Sequence, residues 1–311
     1  MLSTLLIVLP IFGLIFVGWF GGRKGLLGAH ATSEINRLVV YFALPALLFD
    51  IMAHARWEEI WQPRFIAVFG LGTAVVFALT VLVRLRRPRH LADATIDGLN
   101  AGYSNAGFVG LPLVALVSGP GALPLALVAT LITVCVLFGV AIAMVEVGLQ
   151  QERKLGRVFC KVSRSLLRNP IIIAPIAGAL VSVFGLAIPA SLGTFLKMLG
   201  AAAVPCALIA LGLFLAQESS AVEKDIKETL VLVSSKLLLQ PFVTWILAYH
   251  VFHVAPPLAN TAVLLAALPT GTGPFMLAEF YGREGAVTSK VVLLSTVLSI
   301  FTLSGYLGMV A

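Results

Sequence analysis

The stretch AVLLAALPTGTGPFMLAEF (residues 262–280) is long and apolar enough to cross a membrane, but Pro, Thr and Gly interrupt it at its centre. A second stretch, NAGYSNAGFVGLPLVALV (residues 100–117), is interrupted in the same way by Gly and Pro, which are poor helix formers. A broken helix leaves N–H and C=O groups that lipid cannot satisfy. The two stretches therefore predict a site inside the membrane, lined by protein or water; the alternative is a pair of kinks that only serve helix packing.

Composition places the rest of the chain in the membrane as well. Of 311 residues, 59% are hydrophobic and 11% are charged, and the mean hydropathy is +1.03. Soluble domains carry about 25% charged residues, so a soluble fold is excluded. The net charge of +7 comes from basic residues between apolar runs, which is the pattern of topology signals rather than of a nucleic-acid surface.

Working outward from the two interrupted stretches, the sequence predicts an all-α integral membrane protein with ten spans. Thirteen of the 21 Lys and Arg residues fall in the loops after spans 1, 3 and 5, which predicts a cytoplasmic face there and non-cytoplasmic termini. The predicted spans cover residues 3–21, 35–53, 64–84, 96–118, 121–149, 170–187, 190–216, 226–251, 258–281 and 285–310.

The two halves of the chain resemble each other. A shift of 160 residues pairs Gly18 with Gly178 and Pro45 with Pro205, and a shift of 165 lays span 4 over span 9. Five spans per half is an odd number, so two tandem repeats must have opposite topology, as in many secondary transporters. The predicted units are residues 1–149, a basic cytoplasmic linker at 150–169, and residues 170–311. The linker is either an amphipathic helix on the leaflet or a solvated connection.

The interrupted spans supply the candidate site. Residues 100–117 and 262–278 contain no Asp, Glu, Lys or Arg, which argues against a cation exchanger and favours an anionic or neutral solute. The freed N-termini of half-helices would attract a carboxylate, and Asn105, Thr270 and Thr272 would add hydrogen bonds. The predicted substrate-binding residues are Asn105, Ser104, Gly107, Pro112, Pro269, Thr270, Gly271, Thr272 and Pro274.

Other residues are accessory candidates or structural. Lys236 lies near the middle of span 8 and is either a charge partner for the solute or a buried structural cation. Pro45 and Pro205 are further candidates because they hold the same rank in each half. His250 and His253 have no third ligand in view, and the three cysteines form no CxxC pair, so no metal site is predicted. Neither a nucleotide-binding loop nor a nucleophile–base set occurs, so we expect no cofactor, no ATPase and no enzyme activity.

Five motifs now identify a family resemblance. They are FALPALLF (42–49), SNAGFVGLPLV (104–114), RNPIIIAPIAG (168–178), KLLLQPF (236–242) and AALPTGTGPFMLAEFYG (266–282). Together they resemble the auxin efflux carrier family, which includes plant PIN carriers and bacterial malonate-permease-like transporters, and the resemblance covers essentially the whole chain.

The resemblance implies a ten-helix inverted-repeat fold related to sodium/proton antiporters and bile-acid transporters. It implies a scaffold of spans 1, 2, 6 and 7, a transport domain of spans 3–5 and 8–10, and a crossover of the broken spans 4 and 9. Many such proteins form homodimers through the scaffold. The family's substrate-proximal asparagine falls on Asn105, and its crossover prolines fall on Pro112 and Pro269. A glutamine of the plant members is replaced by Thr270, and their long cytoplasmic loop is absent, as in the compact bacterial form.

The sequence thus predicts a secondary transporter in a bacterial inner membrane that moves a small organic anion, an auxin-like carboxylate or a dicarboxylate, by elevator-type alternating access. A sodium- or proton-coupled symporter or exchanger is the alternative, and a channel or a receptor is a third hypothesis. The expected partners are the solute, the lipid bilayer and a second copy of the chain, with no nucleic acid.

Overall fold

A computed structural model describes residues 2–28, 30–54, 61–86, 88–150, 170–217 and 226–310. The predicted linker lies outside these residues, except for its first residue, so its two alternatives stay open. Within the described part the regular structure is helical. The helices are α1 Leu2–Arg23, α2 Ala31–Ala53, α3 Pro63–Leu85, α4 Leu91–Gly102, α5 Ala106–Gly110 with Leu111–Val117, α6 Leu123–Leu149, α7 Pro170–Val183, α8 Ala190–Ala201, α9 Ala203–Gln217, α10 Ile226–Val251, α11 Pro256–Ala266, α12 Gly273–Tyr281 and α13 Gly285–Val310.

The helices confirm an integral membrane protein. Six segments of the described chain are long and apolar enough to cross a bilayer: α2, α3, α6, α10, α13, and α8 taken together with α9. Helices α4, α5, α11 and α12 are shorter because the chain unwinds between α4 and α5 and between α11 and α12.

Three π-helical turns come shortly before prolines. The turns Val39–Ala43, Ala106–Gly110 and Ser235–Leu239 each end two residues before a proline, at positions 45, 112 and 241. Proline has no N–H and clashes with the carbonyl four residues earlier, so a wider turn lets the helix continue instead of ending. The prolines of spans 2 and 8 thus bend or widen their helices, whereas the helix before α5 is broken completely.

The helices pack into two groups. In the first group, α1 packs along α9, while α7 and α8 pack against α2. In the second group, α3 packs on α4, α4 on α6, and α10 on α3, α11 and α13. The groups touch where α12 meets α2 and where α13 meets α1. One of these contacts is a hydrogen bond from Asn36 Nδ2 to the Met276 carbonyl, 3.2 Å long.

Two glycines of the first group lie where neighbouring helices approach closely. A Cβ at Gly18 of α1 would collide with the backbone of Ile209 in α9, and a Cβ at Gly178 of α7 would collide with the backbone of Phe49 in α2. Gly18 and Gly178 are 160 residues apart, and so are Phe49 and Ile209. The same shift that aligns the two halves of the sequence therefore relates these two contacts.

A cluster of charged side chains, which we call the charged cluster, occupies one end of the second group. Its members are Arg84, Arg89, Asp97, Glu228 and Glu284, which come from α3, the following loop, α4, α10 and the loop before α13. The Nε atoms of both arginines lie 3.0–3.1 Å from Asp97 Oδ2.

A neighbouring ion pair extends the charged end of the bundle. The Arg283 guanidinium donates two hydrogen bonds of 2.6 Å to the Asp93 carboxylate. These bonds raise the pKa of Arg283 above its ordinary value. The pair joins α4 to the loop between α12 and α13, so it also connects the first half of the sequence to the second.

Candidate functional site

The two interrupted spans meet through their unwound segments, residues 103–105 and 267–272. Ser104 and Thr270 form an antiparallel bridge. The Asn105 N–H donates to the Pro269 carbonyl at 2.9 Å, and the Gly271 N–H donates to the Tyr103 carbonyl at 3.1 Å. We call residues 103–105 and 269–271 the paired segments. Their pairing satisfies backbone groups that would otherwise be stranded in a low-dielectric interior.

Side chains of α10 hold the helix ends behind the paired segments. Gln240 Nε2 donates to the carbonyl of Gly102, the last residue of α4, at 3.0 Å. Lys236 Nζ donates to the carbonyl of Ala266, the last residue of α11, at 2.7 Å. Both side chains are completely buried. The C-termini of α4 and α11 carry partial negative charge, so a donor at each end compensates for the helical bonds that the breaks remove.

Thr270 also faces the α10 side of the paired segments, which we call the rear side. Its hydroxyl donates to the Asn100 carbonyl at 2.8 Å, and its N–H donates to Ser295 Oγ of α13 at 3.1 Å. Thr270 is fully buried, and both of its polar groups have protein partners. Thr270 therefore stabilises the unwound segment between α11 and α12 through these bonds.

A cavity of about 320 Å³ lies on the opposite side of the paired segments. The second helix group contributes the paired segments and the starts of α5 and α12, and the first group contributes an apolar wall from α2 and α9. The lining residues are Leu44, Leu47, Leu48, Ile51, Tyr103, Ser104, Asn105, Ala106, Gly107, Leu111, Leu127, Thr130, Val134, Ala203, Val204, Gly271, Thr272 and Met276.

Five of the predicted site residues line this cavity: Ser104, Asn105, Gly107, Gly271 and Thr272. Six others do not, namely Pro269, Thr270, Pro274, Pro45, Pro205 and Lys236. The last predicted residue, Pro112, is the second residue of the α-helical part of α5. Pro45 and Pro205 each directly follow a lining residue, Leu44 and Val204. The prolines thus lie in backbone segments next to the cavity, and Lys236 lies on the rear side of the paired segments.

Ser104 stands out among the lining residues. Ser104 is 1% exposed, and no described group forms a hydrogen bond with its Oγ. A buried hydroxyl without a partner costs stability unless something else binds it. Ser104 therefore has an unused hydrogen-bonding group at the cavity, whereas the lining hydroxyl of Thr130 is already bonded to the Ala126 carbonyl at 2.8 Å.

Sequence reasoning missed Tyr103 and the apolar wall. The Tyr103 ring packs edge-on against Phe138, with ring centroids 5.8 Å apart, and covers Gly271 and Gly273 so closely that neither position has room for a Cβ. Tyr103 directly precedes the SNAGFVGLPLV motif, which was the available signal. The wall residues of α2 carry no chemical signature that separates them from lipid-facing leucines.

The chemistry of the cavity follows from its polar side. The helical segment starting at Ala106 and the nine-residue helix α12, starting at Gly273, both begin at the cavity. The Ala106 N–H donates to the Ser104 carbonyl at 2.8 Å, and Pro274, the second residue of α12, has no N–H. The other N–H groups of these first turns have no intrahelical acceptors. No charged side chain belongs to the lining among the described residues. The arrangement suits an anion held by helix ends and neutral hydrogen bonds. Four larger cavities, of about 740, 730, 410 and 360 Å³, contain no residue of either paired segment.

Comparison with known proteins adds evidence from outside the structure. A family model described as "Membrane transport protein" matches residues 4–307. A protein of Rhizobium meliloti (strain 1021) named "Putative malonate transporter" is 33% identical over 306 residues, covering 98% of this chain and 95% of its own. The "Uncharacterized transporter YfdV" of Escherichia coli (strain K12) is 24% identical over 307 residues, covering 94% of each chain. "Auxin efflux carrier component 8" of Arabidopsis thaliana is 26% identical over 167 residues, covering 52% of this chain and 45% of its own.

Proposed function

The chain belongs to the membrane transport protein family, the family of the auxin efflux carriers, and on that premise we propose that it is a secondary carrier for a small organic anion. The observation that carries the proposal is the 320 Å³ cavity, which lies between an apolar wall and the starts of two helices. It is also lined by Ser104, whose buried hydroxyl has no partner among the described groups. Its volume is at the lower end of the range for small-molecule sites, about 300–1,000 Å³.

The charge of the solute follows from the helix ends. Each helix N-terminus carries a partial positive charge of about half a unit, and anions bind there without a cationic side chain. Carboxylates meet this requirement, and the name of the Rhizobium relative points to the same chemical class. Ser104 and Thr272 add neutral hydrogen bonds, and the Asn105 side chain is the third polar candidate.

Elevator-type alternating access is the mechanism that this packing supports best. The cavity lies at the boundary between the two helix groups, so sliding the second group past the first would carry the paired segments and the solute together. We propose that the first group, α1, α2 and α7–α9, is the scaffold, and that the second group is the transport domain. Each paired segment has both of its chain ends in the second group, so the site would stay intact during such a movement.

Two features support ten spans in two inverted repeats. The Gly18 and Gly178 contacts are related by the same 160-residue shift as the sequences of the halves. The charged cluster brings the end of α3, the start of α10 and the start of α13 to one end of the bundle, as alternating spans require. We propose that this end is cytoplasmic, that the membrane is a bacterial inner membrane, and that two copies associate through the scaffold.

A sodium-coupled symporter is the second candidate. Behind the paired segments, Asn100 Oδ1 and Gln240 Oε1 are buried oxygens that receive no hydrogen bond from a described group, and such oxygens are ligands for hard cations. Lys236 opposes this interpretation, because it lies four residues before Gln240 on α10 and carries an ammonium group that donates to the nearby Ala266 carbonyl. Sodium-dependent uptake, with no uptake when potassium replaces sodium, would favour this candidate.

Counterflow in proteoliposomes tests the carrier proposal. Vesicles preloaded with an unlabelled carboxylate should accelerate entry of the labelled compound, and the initial rate should saturate with concentration. Mono- and dicarboxylates of up to about ten non-hydrogen atoms form the screen. Uptake that rises linearly without saturation would indicate a channel, and the absence of uptake for every carboxylate would reject the proposal.

Ser104 and Asn105 give the first prediction for variants. Ser104→Ala and Asn105→Ala should each raise the KM for the solute about tenfold, because each removes one hydrogen bond to a charged group. Uptake kinetics in proteoliposomes would measure the change. Ser104→Ala should leave the melting temperature unaltered, since the Ser104 hydroxyl has no described protein partner to lose.

Thr270→Val is the matched control for that prediction. It removes the hydroxyl bond to Asn100 and should lower the melting temperature. If Ser104→Ala and Asn105→Ala both retain the wild-type KM, these residues do not bind the solute.

A further inference from the structure

The cavity offers positive potential for one negative charge, and we propose that the site accepts only singly charged anions, so that a dicarboxylate is carried in its monoprotonated form. The inference rests on the proposed carrier function and specifies the substrate of the same site. It distinguishes the candidate solutes by their charge, whereas the names of the relatives say nothing about charge.

The front of the site contributes about one positive charge in total. The N-termini of the helical segment Ala106–Val117 and of α12 each supply about half a unit, and both reach the cavity lining. The buried hydroxyl of Ser104 is an independent sign of a ligand there, because it has no partner among the described groups. A monoanion would therefore be balanced by the helix ends alone.

The rear of the site contributes nothing further. The C-termini of α4 and α11 supply about half a negative charge each, and both end at the paired segments. Lys236 donates to the carbonyl that ends α11, so its charge is offset by these helix ends when it is protonated. Among the described residues that line the cavity, no cation is then left over for a second carboxylate.

A dianion would have to place its second charge against the wall of α2, where the lining is Leu44, Leu47, Leu48 and Ile51. Burying an unpaired carboxylate weakens binding by on the order of a thousandfold or more. Binding the monoprotonated form instead costs only about tenfold for each pH unit above the second pKa of the free acid. Near neutral pH, selection of the protonated form is therefore the less costly route for a short dicarboxylate.

Transport of a monoprotonated dicarboxylate would also move a proton across the membrane, and no side chain has to bind that proton. A dicarboxylate enters the site with one carboxyl protonated and one ionised, crosses as a monoanion, and loses the proton to water on the other side. Among the described lining residues, Tyr103 is the titratable group. Lys236 on α10 lies behind the breaks, and the charged cluster with Asp97 on α4 lies toward one end of the bundle. The proton would thus travel on the solute.

The test compares uptake of malonate and of its monomethyl ester in proteoliposomes between pH 6 and pH 8, with the same pH on both sides. The ester has nearly the same shape but stays a monoanion throughout this range. The KM for total malonate should rise about tenfold for each pH unit above its second pKa, while the KM for the ester should stay constant. A malonate KM that does not change with pH would overturn the inference, and so would an equal change for the ester, which would assign the titration to the protein.

A charge-adding variant provides the second arm. Leu47→Lys places a cation in the apolar wall and should make the malonate KM nearly independent of pH, while Leu47→Met controls for the change of shape. If Leu47→Lys folds and keeps the wild-type pH dependence, the charge-balance argument is wrong; if it does not fold, the wild-type comparison still decides. Failure of the carrier proposal is recognisable separately, because neither malonate nor the ester would then show saturable uptake at any pH.

Discussion

Replacing Gly273 with alanine is expected to lower the transport rate constant kcat/KM by about ten- to a hundredfold. A Cβ at this position would lie 2.5 Å from Cζ and 2.7 Å from Oη of Tyr103. The Tyr103 ring is buried and has Phe138 against it, so it has little room to retreat. Overpacking of this kind typically costs about 1–3 kcal/mol.

Transport is expected to fall because α12 must move if the Tyr103 ring cannot. The start of α12 would shift away from Tyr103 and carry Gly271 with it, which would stretch the bond from the Gly271 N–H to the Tyr103 carbonyl. The paired segments would separate, and the α12 N-terminus would no longer face the solute. Uptake assays in proteoliposomes, with the protein amount normalised, would measure this loss.

Gly305→Ala is the matched control for Gly273→Ala. Gly305 lies in α13 with no atom near the position of a Cβ, so alanine there should leave both transport and stability unchanged or slightly raise stability. A second test combines Gly273→Ala with Tyr103→Leu, which removes the ring and should recover much of the lost thermal stability. Wild-type transport by Gly273→Ala would mean that the close packing of Tyr103 is not required for the site.

The sequence predicts the breaks because their cause is local. Pro and Gly disrupt helices wherever they cluster, so the interruptions near residues 104 and 270 follow from composition and spacing. The two unwound segments come from spans 4 and 9, and their pairing depends on a tertiary approach between residues about 165 apart. No spacing rule specifies which carbonyl receives which N–H across that distance.

The role of each polar residue depends on the direction in which it points. Ser104 and Thr270 are directly paired, yet the first lines the cavity and the second bonds to Asn100 and Ser295 behind it. A Thr in a broken span is compatible with either direction from sequence alone. Lys236 illustrates the same point, since the sequence left two roles open and the hydrogen bond to Ala266 favours the structural one.

The burial of Asp97 and its ion-pair partners could not be predicted from the sequence. Asp97 is the second residue of the predicted span 4 (96–118), and no role is predicted for it from the sequence. In the structure α4 begins at Leu91, and Asp97 is completely buried. Its partners Arg84 and Arg89 read as topology signals in a loop. Glu228, which contacts both arginines, lies more than 130 residues further along the chain. Only the packed structure brings these charges together.

Replacing Asp97 with alanine is expected to lower the free energy of unfolding by about 3–5 kcal/mol, the usual cost of removing one partner from a buried ion pair. Asp97 is 0% exposed, and the Nε atoms of Arg84 and Arg89 lie 3.1 and 3.0 Å from its Oδ2. Without this carboxylate, two like charges would face each other at the junction of α3 and α4. Denaturant unfolding in detergent micelles, with the melting temperature as a second readout, would measure the loss.

The size of this effect separates a buried pair from an exposed one within the same protein. Glu34→Ala removes the Arg37–Glu34 pair, whose side chains are 67% and 64% exposed at 3.5 Å, and should change stability very little. Replacing Asp97 with leucine and Arg84 with methionine together should recover part of the loss, because an apolar pair of similar volume avoids the unpaired charge. If Asp97→Ala is no more destabilising than Glu34→Ala, then Glu228 and Glu284 suffice to neutralise the arginines, and Asp97 does not hold α3 and α4 together.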